Sequence, residues 1–381
     1  MKRGPLAAAL LCGVLGMSWQ FLTVHFNYAG NWTALFCHGS RHPLPPSLAS
    51  EHIYVFPNSG GYDGQSYHYM AHDPLDRTDI GRAVPDPSLR FPRILLPGLA
   101  HLLALGRTEW VDASLVFCNL IFLGLGAYWL AQLLERASVH PMFATLYVVV
   151  PVALISLDRM VTDIPVASLA LGFAVYVNSD WDSSWKLYLV LGVAALCRET
   201  GFLLFAAYAI RLLTLQRYRR IAIFATALLP AALWTIWVRS FVPGGDAAGL
   251  RALIPVWGML QAVLHPRHYA FSAPVVAMIQ TLWWMQLAGI VLAIVLALRN
   301  VRQIGKDAVR NACLLWACFA IILPPGVYDD PFAGARLLAP LLMFQFIERG
   351  GLPRLPLLLV TPRVWLELTP QILGILRGLV G

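Results

Sequence analysis

Apolar runs long enough to cross a bilayer recur along this chain, and that recurrence constrains its fold more than any motif. A helix needs about 20 apolar residues to span a hydrocarbon core about 30 Å thick. Lipid offers no partner to a free backbone N–H or C=O, so such spans must be helical or form closed barrels. Of 381 residues, 58% are hydrophobic and only 13% charged, against about 25% charged in soluble domains. The expected class is all-α, a polytopic transmembrane helical bundle. The formal charge of +8 is explained by Arg/Lys-rich cytoplasmic loops rather than by nucleic-acid binding.

The first run, 5–24, follows Lys2 and Arg3. No small-x-small cleavage site precedes His25, so it reads as a retained helix with a cytoplasmic N-terminus. Further runs lie at about 113–134, 141–157, 164–178, 186–197, 201–213, 221–242, 275–298, 311–326 and 333–347. That makes about ten spans, with the apolar tail 355–381 left open. The basic clusters Arg211/Arg217/Arg219/Arg220 and Arg299/Arg302/Lys306/Arg310 belong in the cytoplasm. Span parity then lays 91–105, with its Pro92, Arg93, Pro97 and His101, in the interface rather than across the membrane.

This topology gathers acids and arginines on the outer side, where ionisable groups at span ends are functional candidates. The polar loop from about His25 to Arg90 carries Gly60-Gly61-Tyr62-Asp63-Gly64-Gln65. Asp63 reads either as a helix N-cap or as a general base at the mouth of a membrane groove. His68 and His72, four apart, share a helix face and with Asp73 could hold a metal; the plainer reading is an amphipathic surface. Arg90 and Arg93 flank Phe91-Pro92, suited to head groups or to a phosphate. Asp158-Arg159 and Asp163 form a tight outer turn, with Asp163 able to cap the next helix. Arg198-Glu199 is either a self-satisfied pair or a source of phosphate contacts. Asp329-Asp330 with Arg336 is a solvated loop or a lid. Walker, GxGxxG and Ser-His-Asp patterns are lacking, which argues against direct use of ATP. The cysteines fall mostly in apolar runs and follow no zinc spacing.

The order and sidedness of these features resemble the GT-C superfamily of integral membrane glycosyltransferases. Gly61-Tyr62-Asp63-Gly64-Gln65 with Arg90-Phe91-Pro92-Arg93 is similar to a bacterial subgroup associated with cell-surface glycopolymers. The resemblance covers 1–215, a GT-C-like membrane module whose first outer loop holds interfacial helices, and leaves 216–381 as a variable C-terminal transmembrane module. It implies transfer of a sugar from a polyprenyl-phosphate donor to a glycan, lipid or protein acceptor hydroxyl. The implied setting is the outer, periplasmic face of a bacterial cytoplasmic membrane, with inversion at the anomeric carbon. Asp63 takes the place of the catalytic acid group. Arg93, Arg198 and Arg336 are the donor-phosphate candidates. Asp158, Asp163, Glu199, Gln65 and Tyr62 would orient the acceptor or a cation, and a divalent cation is possible but not implied by every member. The competing readings are a transporter or lipid flippase without transfer chemistry, and an inactive scaffold subunit. Transporters commonly carry internal repeats, and none is evident here.

Overall fold

Throughout the computed structural model the apolar runs fold as helices; residues 3–78, 80–178, 184–242, 254–348 and 350–380 are described. Lys2, which bears on orientation, lies outside them. Four helices are long and apolar enough to cross a membrane: Arg3–Asn27, Thr108–Arg136, Tyr218–Phe241 and Ala273–Arg299. A fifth span forms if Pro141–Val149 and Pro151–Arg159, bent by 50°, are counted as one. The break has a local cause. Val150 precedes Pro151 and is extended, because the proline ring disfavours helical geometry in the residue before it.

The other apolar runs also become helices, but shorter ones. Asp163–Tyr176, Ser184–Cys197 and Ala308–Ile321 are each 14 residues, about 21 Å of rise. The run at 333–347 divides into Ala333–Leu337 and Ala339–Phe346, with Pro340 in the first turn of the second. The tail forms Leu355–Glu367 and Thr369–Val380. The architecture is therefore that of a helical membrane protein with four or five spans by length among the described residues.

The stretch 91–105 yields one nine-residue helix, Leu95–Leu103. It packs on Thr108–Arg136 and on the loop helix Asp63–His72. The first loop is otherwise built from short pieces, including a parallel two-stranded pairing of His38–Gly39 with Val55–Phe56. Its own core places Tyr67, Tyr69, Met70 and Phe91 against Val238 and Val242. Each such buried side chain contributes roughly 1.5–3 kcal/mol. Trp234 Nε1 donates to the Phe91 carbonyl at 2.8 Å, tying the loop to the Tyr218–Phe241 span.

Segments 1–215 and 216–381 share one hydrophobic core. Thr369–Val380 packs on Arg3–Asn27, and Ala339–Phe346 packs on Asp163–Tyr176. Phe332 also meets the first loop, its ring edge-on to Tyr62 with centroids 6.1 Å apart.

Candidate functional site

Two glycines set the position of Asp63. Gly61 has φ +73°, a left-handed conformation in which a side chain is strained, and a Cβ there would also meet the Cys37 carbonyl at 2.7 Å. A Cβ on Gly64 would sit 2.2 Å from the Arg159 carbonyl oxygen, which is backbone and cannot turn away. The loop helix therefore starts pressed against the 158–163 turn. Gln65 holds the approach to it, donating from Nε2 to the Gly60 carbonyl at 3.1 Å and accepting the Gly39 N–H at 3.3 Å. This buried side chain is occupied within the loop.

Asp63 is the first residue of the helix, and Tyr62 is its N-cap without a side-chain cap bond. The Asp63 carboxylate is instead taken by arginines. Oδ1 lies 2.7 Å from Arg90 Nη2 and Oδ2 lies 2.6 Å from Arg336 Nη2. Arg336 reaches on through Nη1 to Asp163 Oδ2 at 2.9 Å. The other Asp163 oxygen pairs with Arg198 Nη1, and Arg198 Nε lies 3.3 Å from Glu199 Oε1. Glu199 in turn is held bidentately by Arg93, at 2.9 and 2.7 Å. Arg93 Nη1 ends the chain on the Tyr67 hydroxyl at 3.1 Å.

The result is one alternating line, Arg90–Asp63–Arg336–Asp163–Arg198–Glu199–Arg93, with four guanidiniums against three carboxylates and hence a net +1. Asp163, Arg93, Arg198 and Arg336 are buried. Isolated charges could not persist there, whereas paired and hydrogen-bonded ones can. Glu199, next to the Arg93 end, is its most open member, with its side chain 48% exposed.

The electrostatics follow from this geometry. Burial pushes the Asp63 carboxyl up, but Arg336 and Arg90 outweigh it and hold it far below the usual carboxylate range. At the half-exposed Glu199 partial desolvation also raises the carboxyl, and Arg198 and Arg93 outweigh it, holding it at about 2. Both Asp63 oxygens are thus engaged by guanidiniums, which favour the ionised carboxylate.

Tyr62 lies under Arg336, whose Cζ is 4.9 Å from the ring centroid. Asp330 Oδ1 accepts the backbone N–H groups of Phe332 and Ala333 at 2.8 and 2.6 Å. It thereby secures the head of the short helix that carries Arg336. Asp158 stands apart, paired with Arg159 Nε at 3.1 Å and approached by Gln371 Nε2 at 3.4 Å.

Sequence reasoning noticed both Arg90 and Tyr67, which follows Asp63 with Gln65 and Tyr69, but left both out of the site. The available signal was the spacing of Arg90 from Arg93, which places two guanidiniums at one corner of the loop. Three guanidinium nitrogens in the line are buried without a hydrogen-bond partner among the described residues: Arg90 Nε, Arg90 Nη1 and Arg336 Nε. By contrast, Arg93 is fully engaged by Glu199 and Tyr67.

A groove of about 810 Å³ adjoins Glu199. Leu89, Pro92, Phe202, Ile236 and Val242 make it apolar, and Glu199 and Arg239 are its charged edges. The hollow between Arg3–Asn27 and Thr108–Arg136, by comparison, has no charged residue in its lining.

The chain matches no protein-family model, no curated protein and no solved structure. What can be said of its chemistry therefore comes from its own residues.

Proposed function

We propose that this protein is a GT-C-type membrane glycosyltransferase of about ten spans, in which the shorter helices also cross. It would take a sugar from a polyprenyl-phosphate donor at the outer face of a bacterial cytoplasmic membrane and pass it, with inversion, to an acceptor hydroxyl. The observation that carries this reading is the charged line itself: a net-positive chain of buried guanidiniums around Asp63, opening at Glu199 onto an apolar groove. The groove suits a prenyl tail; Arg90 and Arg336 do not line it, and their unpartnered nitrogens suit a phosphate that displaces their carboxylate partners.

The acceptor hydroxyl oxygen bonds to the anomeric carbon as its proton passes to Asp63. The bond from that carbon to the phosphate oxygen breaks, and the lipid phosphate leaves with the electron pair. The donor phosphate draws on the same two arginines that clamp Asp63. Its negative charge offsets theirs, so the proton affinity of Asp63 rises when donor is bound. The base would thus be silent without substrate and active with it. Arg93, Arg198 and Glu199 hold the frame, and Asp163 fixes Arg336 from behind.

The test is Asp63→Asn in proteoliposomes supplied with a panel of polyprenyl-phosphate sugars and with acceptor extracts of the cell envelope. The expected loss of transfer is about 10²–10⁴-fold, the range for a general base, with insertion and elution volume unchanged. A folded variant that transfers at the wild-type rate overturns the role of Asp63. A wild-type protein that moves labelled lipid-linked sugar across the bilayer without transferring it would establish the transporter reading instead.

A further inference from the structure

The C-terminal half of the loop helix holds a second cluster that the charged line does not use. His68 Nε2 lies 2.7 Å from Asp112 Oδ1 and 3.2 Å from His72 Nε2. His72 Nδ1 is 3.4 Å from Glu51 Oε1 without making a hydrogen bond to it. One donor atom from each of Glu51, His68 and His72 lies within 4.8 Å of the other two. His68 and His72 have side chains 0% and 3% exposed, and each has a buried Nδ1 with no hydrogen-bond partner.

A single proton on His68 Nε2 has to serve both contacts, the carboxylate and the second imidazole. A neutral imidazole carries one N–H. If His68 Nε2 donates to Asp112, the same atom meets the His72 nitrogen with no second proton to share. Two ligand nitrogens on one tetrahedral zinc, at bonds of about 2.0–2.1 Å, stand about 3.3 Å apart, close to the separation seen here. The His68 ring is also held in place, stacked on Phe36 with centroids 4.2 Å apart and flanked edge-on by His38 at 5.0 Å. Asp73, which the sequence offered as a third ligand, is turned away and accepts from Thr78 N–H and hydroxyl at 2.7 and 2.9 Å.

We propose that Glu51, His68 and His72 bind a divalent transition metal of the zinc class, with Asp112 at the edge of the site against His68. Two imidazoles with a carboxylate are a zinc-type set, whereas magnesium and calcium prefer oxygen alone. Glu51 and Asp112 are 25% and 29% exposed, which gives the ion a way in. The role is positioning. From Asp63 to His72 the helix rises about 13 Å, so the ion is remote from the reacting atoms proposed above. It would join the end of the loop helix to the Glu51 strand-side segment and, through the contact of His68 with Asp112, to the head of Thr108–Arg136. This inference stands independently of the glycosyl-transfer reading.

The experiment uses full-length protein in detergent, stripped with EDTA, loaded with Zn²⁺ alone and passed through gel filtration before metal analysis. A parallel sample takes Co²⁺ and is read by visible absorption. Expected are one Zn²⁺ per chain, a tetrahedral Co²⁺ spectrum, and no displacement by excess Mg²⁺. His72→Ala should weaken Zn²⁺ binding by about 100-fold, at or beyond the effect of losing a supporting residue. Glu51→Gln, a partly exposed change that spares the core, should lose at least about tenfold. Asp63→Asn should still hold one Zn²⁺. If the wild type emerges without Zn²⁺, or if Glu51→Gln binds it as tightly as the wild type, the site is refuted.

Discussion

Replacing Arg336 by Gln removes the one side chain that joins the two halves of the charged line. Asp63 keeps only Arg90, at 2.7 Å, and Asp163 keeps only Arg198; the ion pairs at 2.6 and 2.9 Å disappear. The net charge of the cluster falls from +1 to zero, yet two carboxylates, 14% and 2% exposed, each lose half of their compensation. Breaking a buried pair costs about 3–5 kcal/mol because the survivor stays buried. A Tm drop on the order of 10 °C is expected in detergent. Asp63→Asn should cost a comparable amount, since it leaves Arg90 without its carboxylate and Arg336 with Asp163 alone. The decisive quantity is the double variant. If the two side chains act as a pair, their combined cost falls short of the sum by roughly 0.5–3 kcal/mol. Denaturant unfolding of the four proteins in one detergent supplies the cycle. Costs that add to within about 0.5 kcal/mol would refute the coupling and with it the idea of a continuous line.

The acid limb of stability follows from the same pairs. Asp63 and Glu199 have folded proton affinities below their ordinary values, so their contribution is full above about pH 4–5 and is lost as pH falls. Tm should be level from pH 8 to 5 and fall between about 4 and 2, less steeply in Glu199→Gln; a rise on acidification refutes the pairing. Gly64→Ala drives a methyl into the Arg159 carbonyl and should cost about 1–3 kcal/mol by overpacking, measured as a decrease in Tm, whereas an unchanged Tm would mean that the helix start and the turn do not press on each other. Arg90→Lys keeps the charge but gives up the planar fork. In the proposed transfer assay its KM for donor should rise about tenfold, equivalent to about 1.4 kcal/mol, and an unchanged KM would remove Arg90 from phosphate binding.

The helical plan was legible in the apolar runs because lipid leaves the backbone few alternatives. Span number was less so: at 164–178 and 333–347 hydropathy marks a helix, but Pro340 and the short turn at Asp163 decide its length. Parity reasoning placed the acids and arginines on one side, and the structure joins Asp63, Asp163, Glu199 and four arginines in one line. Their pairing was not legible. Nothing in the sequence says that Arg336 would reach Asp63 and Asp163 rather than Asp330, since that choice depends on how late helices pack on early ones. For the same reason the His68–His72 spacing pointed to a shared face, while Glu51 and Asp112 arrive through loop closure. The expectation that Asp63 caps its helix fails by one position, because arginines compete for its carboxylate more strongly than backbone N–H groups do.

Arg336 lies 173 positions after Asp163. At synthesis rates of roughly 5–20 residues per second, about 9–35 s separate the emergence of the two. For that interval the nascent bundle carries early acids whose last counter-charge has not yet been made. The newborn chain must keep that region wet or shielded by the insertion machinery, and only the arrival of its final third lets the polar interior close.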